Sequence, residues 1–281
     1  MARRYDWWDK TWDTCGGCFP VSPGCANCFV PPLLGTRHRS AGAARRVDKL
    51  YDGTVKKVNG RWTFTGKLTA LPAGHRAWAM PRRWKGAESP VMGAGKPSLI
   101  FVGGMSDLFI DDRPTWVIDR TVASLVHSDH IGLLLTKRPR AMAEYFGTAR
   151  VSPAVLRNRQ AHLWLGFSAE RQEEFDSRWA DMRPLGASGW TVFVSLAPML
   201  GPIVLPSDFL SLGTRGWAIV SGEQGRHDRC RDMDPAWARA VFRQCRDAGV
   251  PLFTKQLARR KPIPPDLMAV RNFPAIRGEF Q

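Results

Sequence analysis

The chain has 281 residues and a formal net charge of +16, with 41 Lys and Arg residues against 25 Asp and Glu residues. This length suits one large domain or two small ones, and a hydrophobic content of 44% suffices for a full core. No apolar stretch approaches the ~18 residues needed to cross a membrane, and the excess of positive charge favours nucleic acid over a membrane surface as partner.

Four of the six cysteines lie near the N-terminus, in a stretch rich in glycine and proline. Cys15, Cys18, Cys25 and Cys28 have the spacing C-x2-C-x6-C-x2-C. Glycine and proline exclude a regular helix here and permit tight turns, so the loop can wrap thiolates around a metal. Thiolates are soft ligands, and the spacing alone leaves a structural zinc and an iron–sulfur cluster as equal alternatives. Residues 1–12 contain no apolar run typical of a signal peptide, which argues against disulfides.

The segment that follows the cysteines is basic. Residues 37–85 carry thirteen Lys or Arg residues but only two acids, Asp48 and Asp52, with aromatic residues interleaved. Basic side chains neutralise phosphates and aromatic faces can stack on bases, although tryptophans here could equally pack onto the domain. Asn59-Gly60 predicts the turn of a hairpin. We expect residues 37–97 to be a basic insertion within a single domain that spans residues 1–281.

From residue 98 onwards, short apolar runs alternate with amphipathic stretches. The runs are continuous, as in parallel strands buried on both faces, and they cover residues 98–103, 131–136, 162–167, 191–196, 217–222 and 251–256. Helices are predicted at 115–127 and at 235–248, the second capped by Asp234. Cys245 lies on the buried face of that helix, and Cys230 lies in a polar loop without a partner at metal-ligand spacing. With a first strand near residues 10–14, this order predicts an α/β fold, a full or partial parallel (β/α) barrel.

Polar residues collect directly after the apolar runs. In a parallel barrel this rim carries the chemistry, and the residues found there include Ser106, Asp107, Lys137, Ser168, Glu170, Ser195, Glu223 and Lys255. Strands that only build a core do not require such a concentration, so we interpret the rim as a candidate site.

Several blocks of the sequence resemble a three-cysteine-motif family of phage and bacterial proteins, which look like radical S-adenosylmethionine (SAM) barrels. The matching N-terminal residues are Trp12, Asp13, Gly17, Cys18, Ser22, Gly24, Cys25, Cys28 and Phe29. Further matching blocks occur at 64–67, 103–109, 135–139, 163–170, 193–202, 220–225 and 253–256. The chain departs from the usual pattern in the six-residue gap after Cys18, and at Asn27, Ala197 and Ser221.

The resemblance implies a cofactor and a set of ligands. Cys18, Cys25 and Cys28 would bind a [4Fe–4S] cluster, and Cys15, Cys230 and Cys245 would not. SAM would bind the remaining iron and yield a 5′-deoxyadenosyl radical. Gly103 and Gly104 stand where this superfamily places its Gly-Gly-Glu segment, and Ser106 or Asp107 could accept a hydrogen bond from the SAM ammonium group. Ser168 and Ser195 are further cofactor-binding candidates, and Asp107, Lys137, Glu170, Glu223 and Lys255 are the catalytic candidates.

The substrate and partners follow from the resemblance and the charge. We expect an enzyme of the bacterial host cytoplasm, phage-encoded, that modifies or isomerises a base of phage DNA such as a thymine adduct, with a reducing partner for the cluster and no membrane. The alternatives are a radical SAM lyase, repair or RNA-modifying enzyme, and a zinc-stapled nucleic-acid-binding protein without catalysis.

Overall fold

The computed structural model describes residues 7–37, 48–84, 88–147, 160–225 and 229–277. Its strands are β1 (Lys10–Trp12), β2 (Cys15–Gly16), β3 (Val55–Val58), β4 (Arg61–Phe64), β5 (Thr69–Ala70), β6 (Glu88–Ser89), β7 (Gly93–Ala94), β8 (Leu99–Val102), β9 (Ile131–Thr136), β10 (Leu163–Ser168), β11 (Thr191–Leu196), β12 (Gly216–Ser221) and β13 (Leu252–Gln256). The α-helices are α1 (Val30–Arg37), α2 (Met80–Arg83), α3 (Thr115–Val126), α4 (Pro139–Gly147), α5 (Gln172–Ala187), α6 (Ser207–Leu210), α7 (Pro235–Asp247) and α8 (Pro265–Met268). Short 3₁₀ helices occupy Pro23–Cys25, Asp48–Tyr51, Arg76–Ala79, Gln160–His162, Gly213–Arg215 and Ala258–Arg260.

Seven of the strands form one parallel sheet. Their order is β1-β8-β9-β10-β11-β12-β13, which is the order of the chain, and the edge strands β1 and β13 do not pair with each other in the described part of the chain. The sheet is therefore a curled partial barrel, and the prediction of a parallel α/β architecture is confirmed. None of the helices that the structure describes has both the length and the apolarity to cross a membrane.

The sheet buries both of its faces, which explains the continuous apolar runs. One set of alternate side chains packs under the helices, among them Leu165, Val194 and Val220. The other set fills the inner face of the curl with aromatic rings, which belong to Trp7, Trp164, Phe193, Trp217 and Phe253. The Trp7 ring lies 5.0 Å from the Phe101 ring and 5.7 Å from the Trp217 ring. The segment that precedes β1 thus closes the inner face by side-chain packing.

The two helices predicted from the sequence, 115–127 and 235–248, are present as α3 and α7, each one residue shorter at its C-terminal end. In α3, the predicted face of Ile118, Val122, Leu125 and Val126 is buried. In α7, the Asp234 side chain accepts a hydrogen bond of 2.8 Å from the Ala236 backbone N–H, as expected of an N-cap. Both helices therefore pack on the outer face of the sheet through the stripe that their periodicity predicts.

The insertion before β8 contains the predicted hairpin. Strands β3 and β4 pair in antiparallel register, and Asn59 and Gly60 both have positive φ, at 47° and 77°. This is the backbone of a two-residue hairpin turn, which favours Asn-Gly. The Trp62 ring packs on α1 at Gly35, where an added Cβ would lie 2.1 Å from a ring carbon. The predicted basic residues of segment 38–47, and residues 85–87, lie outside the described ranges.

The close approach of Phe193 to Gly166 gives a test of the inner face. A Cβ added at Gly166 would lie 2.3–2.5 Å from Phe193 ring atoms, so Gly166→Ala forces that ring to move. We expect a loss of about 1–3 kcal/mol in the free energy of unfolding, measured by urea denaturation. Gly201→Ala is the control, because an added Cβ there meets no atom within 4 Å. Equal stability of the two variants would contradict this packing.

Candidate functional site

The candidate site is the cysteine loop, residues 17–29, at the carboxyl end of β1. Its backbone and side chains, with those of Cys15 just before it, contact residues that directly follow β8, β9, β10 and β12. The carboxyl ends of parallel strands meet at one rim, where functional residues of such folds concentrate. The structure therefore brings the predicted cysteines and several of the predicted rim residues to the same place.

Three thiols of the loop form a common electrostatic neighbourhood. Burial raises the pKa of Cys18 to about 12, and the charges of Asp107, Cys28 and Cys25 add to this increase while Arg138 opposes it. Burial also raises the pKa of Cys28, and the charge of Cys25 adds to it. The thiols of Cys18 and Cys28 are protonated at neutral pH, so binding of a metal must release protons from them. A nearby cation would relieve the mutual repulsion of the thiolates.

Cys15 lies in a different environment. Its side chain is completely buried in the outer core, and its Sγ lies 3.4 Å from the Ser106 Oγ. Burial raises the pKa of the Cys15 thiol, and the ionisable groups that act on it are Arg113 and Asp13 rather than the other cysteines. Cys15 therefore belongs to the support of the loop, while Cys18, Cys25 and Cys28 are partly exposed.

The six cysteines are free thiols in the structure. None of the six cysteines, all of which lie in the described ranges, forms a disulfide. Within those same ranges, no three Cys, His, Asp or Glu side chains converge to hold a single metal ion. Zinc requires four donors at about 2.0–2.3 Å from one point, whereas an iron–sulfur cluster distributes its thiolates over separate irons. An iron–sulfur cluster on Cys18, Cys25 and Cys28 and a zinc ion on all four thiols of the stretch thus both stay predictions from the sequence.

Glu170, which follows β10, holds the middle of the loop. Its fully buried carboxylate accepts hydrogen bonds from the Gly24 backbone N–H at 2.9 Å, from the Lys137 Nζ at 2.9 Å and from Arg178 at 3.0 Å. Burial by itself raises the pKa of Glu170, but Lys137, Ser22 and Arg178 together lower it to about 2. The carboxylate is therefore ionised at neutral pH and ties the loop to β9, β10 and α5.

Glu223, which follows β12, holds the loop from the other side. It accepts hydrogen bonds from the Asn27 side chain at 3.1 Å and from the backbone N–H of Arg231 at 2.7 Å, and it forms a close ion pair with the Arg231 guanidinium. Arg231 also donates to the Pro23 carbonyl at 3.0 Å. Burial opposes ionisation of Glu223, but Arg231 and Asn27 lower its pKa overall. Asn27, a departure from the family pattern, thus has a structural partner.

Asp107 uses both carboxylate oxygens within the protein. The donors to it are the Phe109 N–H, the Thr136 hydroxyl, the Lys137 N–H and the Arg138 guanidinium, at 3.0, 2.7, 3.2 and 3.0 Å. Arg138 in turn donates to the Phe19 carbonyl of the cysteine loop at 3.1 Å. This geometry gives Asp107 a positioning role. Its predicted contact with a SAM ammonium group remains a prediction.

The predicted residues after β8 support the start of the loop. The Ser106 backbone N–H donates to the Gly103 carbonyl at 3.0 Å and closes a turn. The Ser106 hydroxyl donates to the Cys15 carbonyl at 2.9 Å. Gly104 lies close to Phe101, since an added Cβ would lie 3.3 Å from that ring. These residues therefore fix the backbone that leads into the cysteine loop.

The other predicted residues lie on the inside of the curl. Ser168 and Ser195 pair in register on β10 and β11, and by alternation with Trp164 and Phe193 they face the inner side of the sheet. Lys255 shares that face, and its Nζ lies 5.7 Å from the centre of the Trp8 ring. The structure thus separates these three polar residues from Glu170, Glu223 and Asp107, which contact the loop or its cations.

A cleft of about 670 Å³ opens beside the cysteine loop. Val21, Ser22 and Pro23 line it on the loop side, and residues of α4 and α5 line it on the other. The lining includes Lys137 and Arg178, the two cations that Glu170 holds. Its volume lies within the range of small-molecule sites.

Three buried or half-buried arginines were not predicted from the sequence. They are Arg113, Arg178 and Arg231. Arg113 donates to the backbone carbonyls of Gly16, Thr69 and Asp107, at 3.2, 2.7 and 3.1 Å. The sequence indicates such arginines only indirectly. Glu170 and Glu223 follow buried strands, and a buried carboxylate needs a cationic partner.

Fold and site together define a parallel α/β partial barrel with a cysteine loop clamped at its carboxyl rim. Residues 3–265 match the model of a family described as "Protein of unknown function (DUF5131)", and the chain belongs to this family. No curated protein matches the chain, and no solved structure matches it.

The contacts of Glu170 with the cysteine loop, Lys137 and Arg178 can be tested by substitution. Glu170→Gln leaves Lys137 and Arg178 without their buried counter-charge, so we expect a loss of about 3 kcal/mol in unfolding free energy at pH 7. Because the folded-state pKa is lowered to about 2, the carboxylate stabilises the fold above its unfolded pKa, and this contribution is lost as the pH falls towards 2. The variant should therefore show a flatter pH dependence of stability in that window.

The matched control for this measurement is Glu144→Gln. Glu144 pairs with Arg140 at 3.0 Å on the exposed surface of α4, with 64% of its side chain exposed. Its loss should change stability by no more than about 0.5 kcal/mol. Equal effects of the two substitutions in urea denaturation would show that Glu170 does not anchor the loop.

Proposed function

We propose that the protein is a radical SAM enzyme that modifies or isomerises a base of DNA, such as a thymine adduct, in the cytoplasm of a bacterial host. The observation that carries the proposal is the loop with three electrostatically coupled thiols, held over the rim of a parallel partial barrel by carboxylates from three strand ends. A radical enzyme needs its cofactor aimed at one substrate atom. This arrangement supplies a fixed loop at the rim where such folds bind substrates.

The cofactor set of the proposal is a [4Fe–4S] cluster on Cys18, Cys25 and Cys28, together with SAM. When bound, these groups would supply one-electron cleavage of SAM and an organic radical that removes a hydrogen atom from the substrate. A protein that donates the electron is a further partner. The separation of Cys15 from the other thiols supports a three-cysteine ligand set.

The residues around the loop have separate roles in this proposal. Glu170, Glu223 and Asp107 position the loop through its backbone and through their cations. Lys137 directs its ammonium group towards Glu170, borders the cleft and partly offsets the rise in the pKa of Cys28. It can therefore bind a carboxylate or phosphate beside the thiols. Ser168, Ser195 and Lys255 on the inner face can hold the polar parts of SAM or substrate above the aromatic rings.

The ligand assignment predicts four outcomes for single substitutions. Cys18→Ala, Cys25→Ala and Cys28→Ala should each abolish assembly of the cluster, because each removes one of three ligands. Cys15→Ala should retain it. Iron and sulfide analysis of anaerobically reconstituted protein, with the visible absorption spectrum, measures this directly. One zinc bound by four thiolates, or loss of iron in Cys15→Ala, would favour a zinc-stapled binding protein instead.

The proposed activity can be measured without the natural substrate. Reduced, cluster-loaded protein should release 5′-deoxyadenosine and methionine from SAM, quantified by chromatography. Asp107→Ala should weaken SAM binding more than Glu223→Ala, since Asp107 follows the strand next to β1 and positions both Lys137 and Arg138. A full cluster that binds SAM but does not cleave it with any reductant would exclude the proposed reaction.

A further inference from the structure

The β3–β4 hairpin presents positive charge that is not paired with any carboxylate in the described part of the chain. Lys56, Lys57 and Arg61 are exposed, and no carboxylate of the described residues lies within ion-pair distance of them. The same holds for the other described cations of segment 48–84, namely Lys49, Lys67, Arg76, Arg82 and Arg83. Cations on a two-stranded ribbon that lack acidic neighbours are suited to bind an anionic polymer.

The helices of the barrel are different, because many of their cations have partners. Arg183 pairs with Asp208 at 2.5 Å, and Arg239 pairs with Asp266 at 2.6 Å. Arg246 pairs with Asp247 at 2.8 Å. The uncompensated charge is therefore concentrated in the insertion, which focuses the field there.

The aromatic residues of this segment do not form an exposed stacking surface. Tyr51 and Trp78 are buried, and Trp62 and Phe64 are half-buried against the domain. Proteins that bind single strands commonly stack unpaired bases on exposed aromatic rings. The alternative that the tryptophans pack onto the domain is thus the one the structure supports. A surface of cations without stacking rings fits the backbone of a duplex.

The hairpin is joined to the cysteine loop. Strand β5, which follows the hairpin, pairs with β2 at Cys15 and Gly16. Gly17 has φ of 85°, and an added Cβ there would lie 2.2 Å from the Lys67 carbonyl oxygen. The Phe19 ring lies against Gly66, where an added Cβ would be 3.1 Å from a ring carbon. The segment directly after the hairpin therefore contacts the cysteine loop.

We propose that the exposed face and tip of the β3–β4 hairpin dock the phosphodiester backbone of double-stranded DNA next to the cysteine loop. Lys56 and Arg61 lie on one face of the ribbon by the antiparallel register, and Lys57 is exposed on the opposite face, across from Trp62. The inference rests on the proposed function for its choice of DNA as substrate. In a duplex held there, the target base must leave the stack to reach the rim.

The test compares two variants with the same change of net charge. The first is the triple substitution Lys56→Gln, Lys57→Gln and Arg61→Gln. The second is Arg183→Gln, Arg243→Gln and Arg246→Gln, which removes three exposed arginines from α5 and α7. Binding of a fluorescent duplex oligonucleotide to metal-free protein is measured by anisotropy over a range of salt concentrations. Circular dichroism and thermal unfolding check that both variants fold.

The hairpin variant should bind the duplex at least tenfold more weakly than the unsubstituted protein. The slope of log K against log salt should become shallower by about 1 for each phosphate that no longer has a cationic partner. The helix variant should keep both affinity and slope. Equal reductions in affinity in the two variants, or unchanged binding by the hairpin variant, would overturn the proposal.

Two further probes separate DNA from other partners. Tighter binding of a single-stranded oligonucleotide than of the duplex would contradict the choice of duplex. Binding of vesicles with anionic phospholipids in place of DNA would assign the hairpin to a membrane surface instead. Because this experiment needs no cluster, its failure leaves the SAM-cleavage test untouched, and failure of SAM cleavage leaves the docking result untouched.

Discussion

The buried carboxylate of Glu170 is the interaction on which the rim of this protein depends. It accepts hydrogen bonds from the cysteine loop, from the residue after β9 and from α5, and it is fully buried. A buried charge is tolerated only when it is paired and hydrogen-bonded. The Gly24 N–H, Lys137 and Arg178 must therefore stay in place together, because the buried carboxylate needs all three donors. Glu223 with Arg231 after β12, and Asp107 after β8 with Arg138, repeat this arrangement on either side of Glu170.

The three carboxylates determine where the loop lies without forming a hydrogen bond to Cys18, Cys25 or Cys28 among the contacts described above, although the charge of Asp107 raises the pKa of Cys18. The contacts that they and their arginines make with the loop go to backbone atoms of Phe19, Pro23 and Gly24 and to the side chains of Ser22 and Asn27. Cys18, Cys25 and Cys28 stay accessible to a ligand, and burial together with mutual repulsion keeps the thiols of Cys18 and Cys28 protonated. Asp107, Arg138 and Lys137 therefore act both on the position of the loop and on the acidity of its thiols.

The sheet and two of its helices, α3 and α7, could be predicted from the sequence because local patterns specify them. Continuous apolar runs located the six strands from β8 to β13, Asn59-Gly60 located the hairpin, and Asp234 located the start of α7. The arginine partners could not be predicted, since Arg113, Arg178 and Arg231 become buried through tertiary contacts that no local pattern encodes. The aromatic residues of the insertion allowed two interpretations, and only tertiary packing decided between them.

The residues that hold the cysteine loop are synthesised long after the loop itself. The partners of the loop are distant in the chain: Gly24 and Glu170 are 146 residues apart, and Pro23 and Arg231 are 208 apart. During translation the cysteines leave the ribosome first. Arg231, the last of these partners, leaves it only when most of the chain has been translated. During that interval the loop is a thiol-rich segment without the partners Glu170 and Arg231 that hold it. A nascent chain can therefore offer its cysteines to the wrong metal before the correct geometry exists, and delivery of any cofactor is best coupled to release of the finished chain.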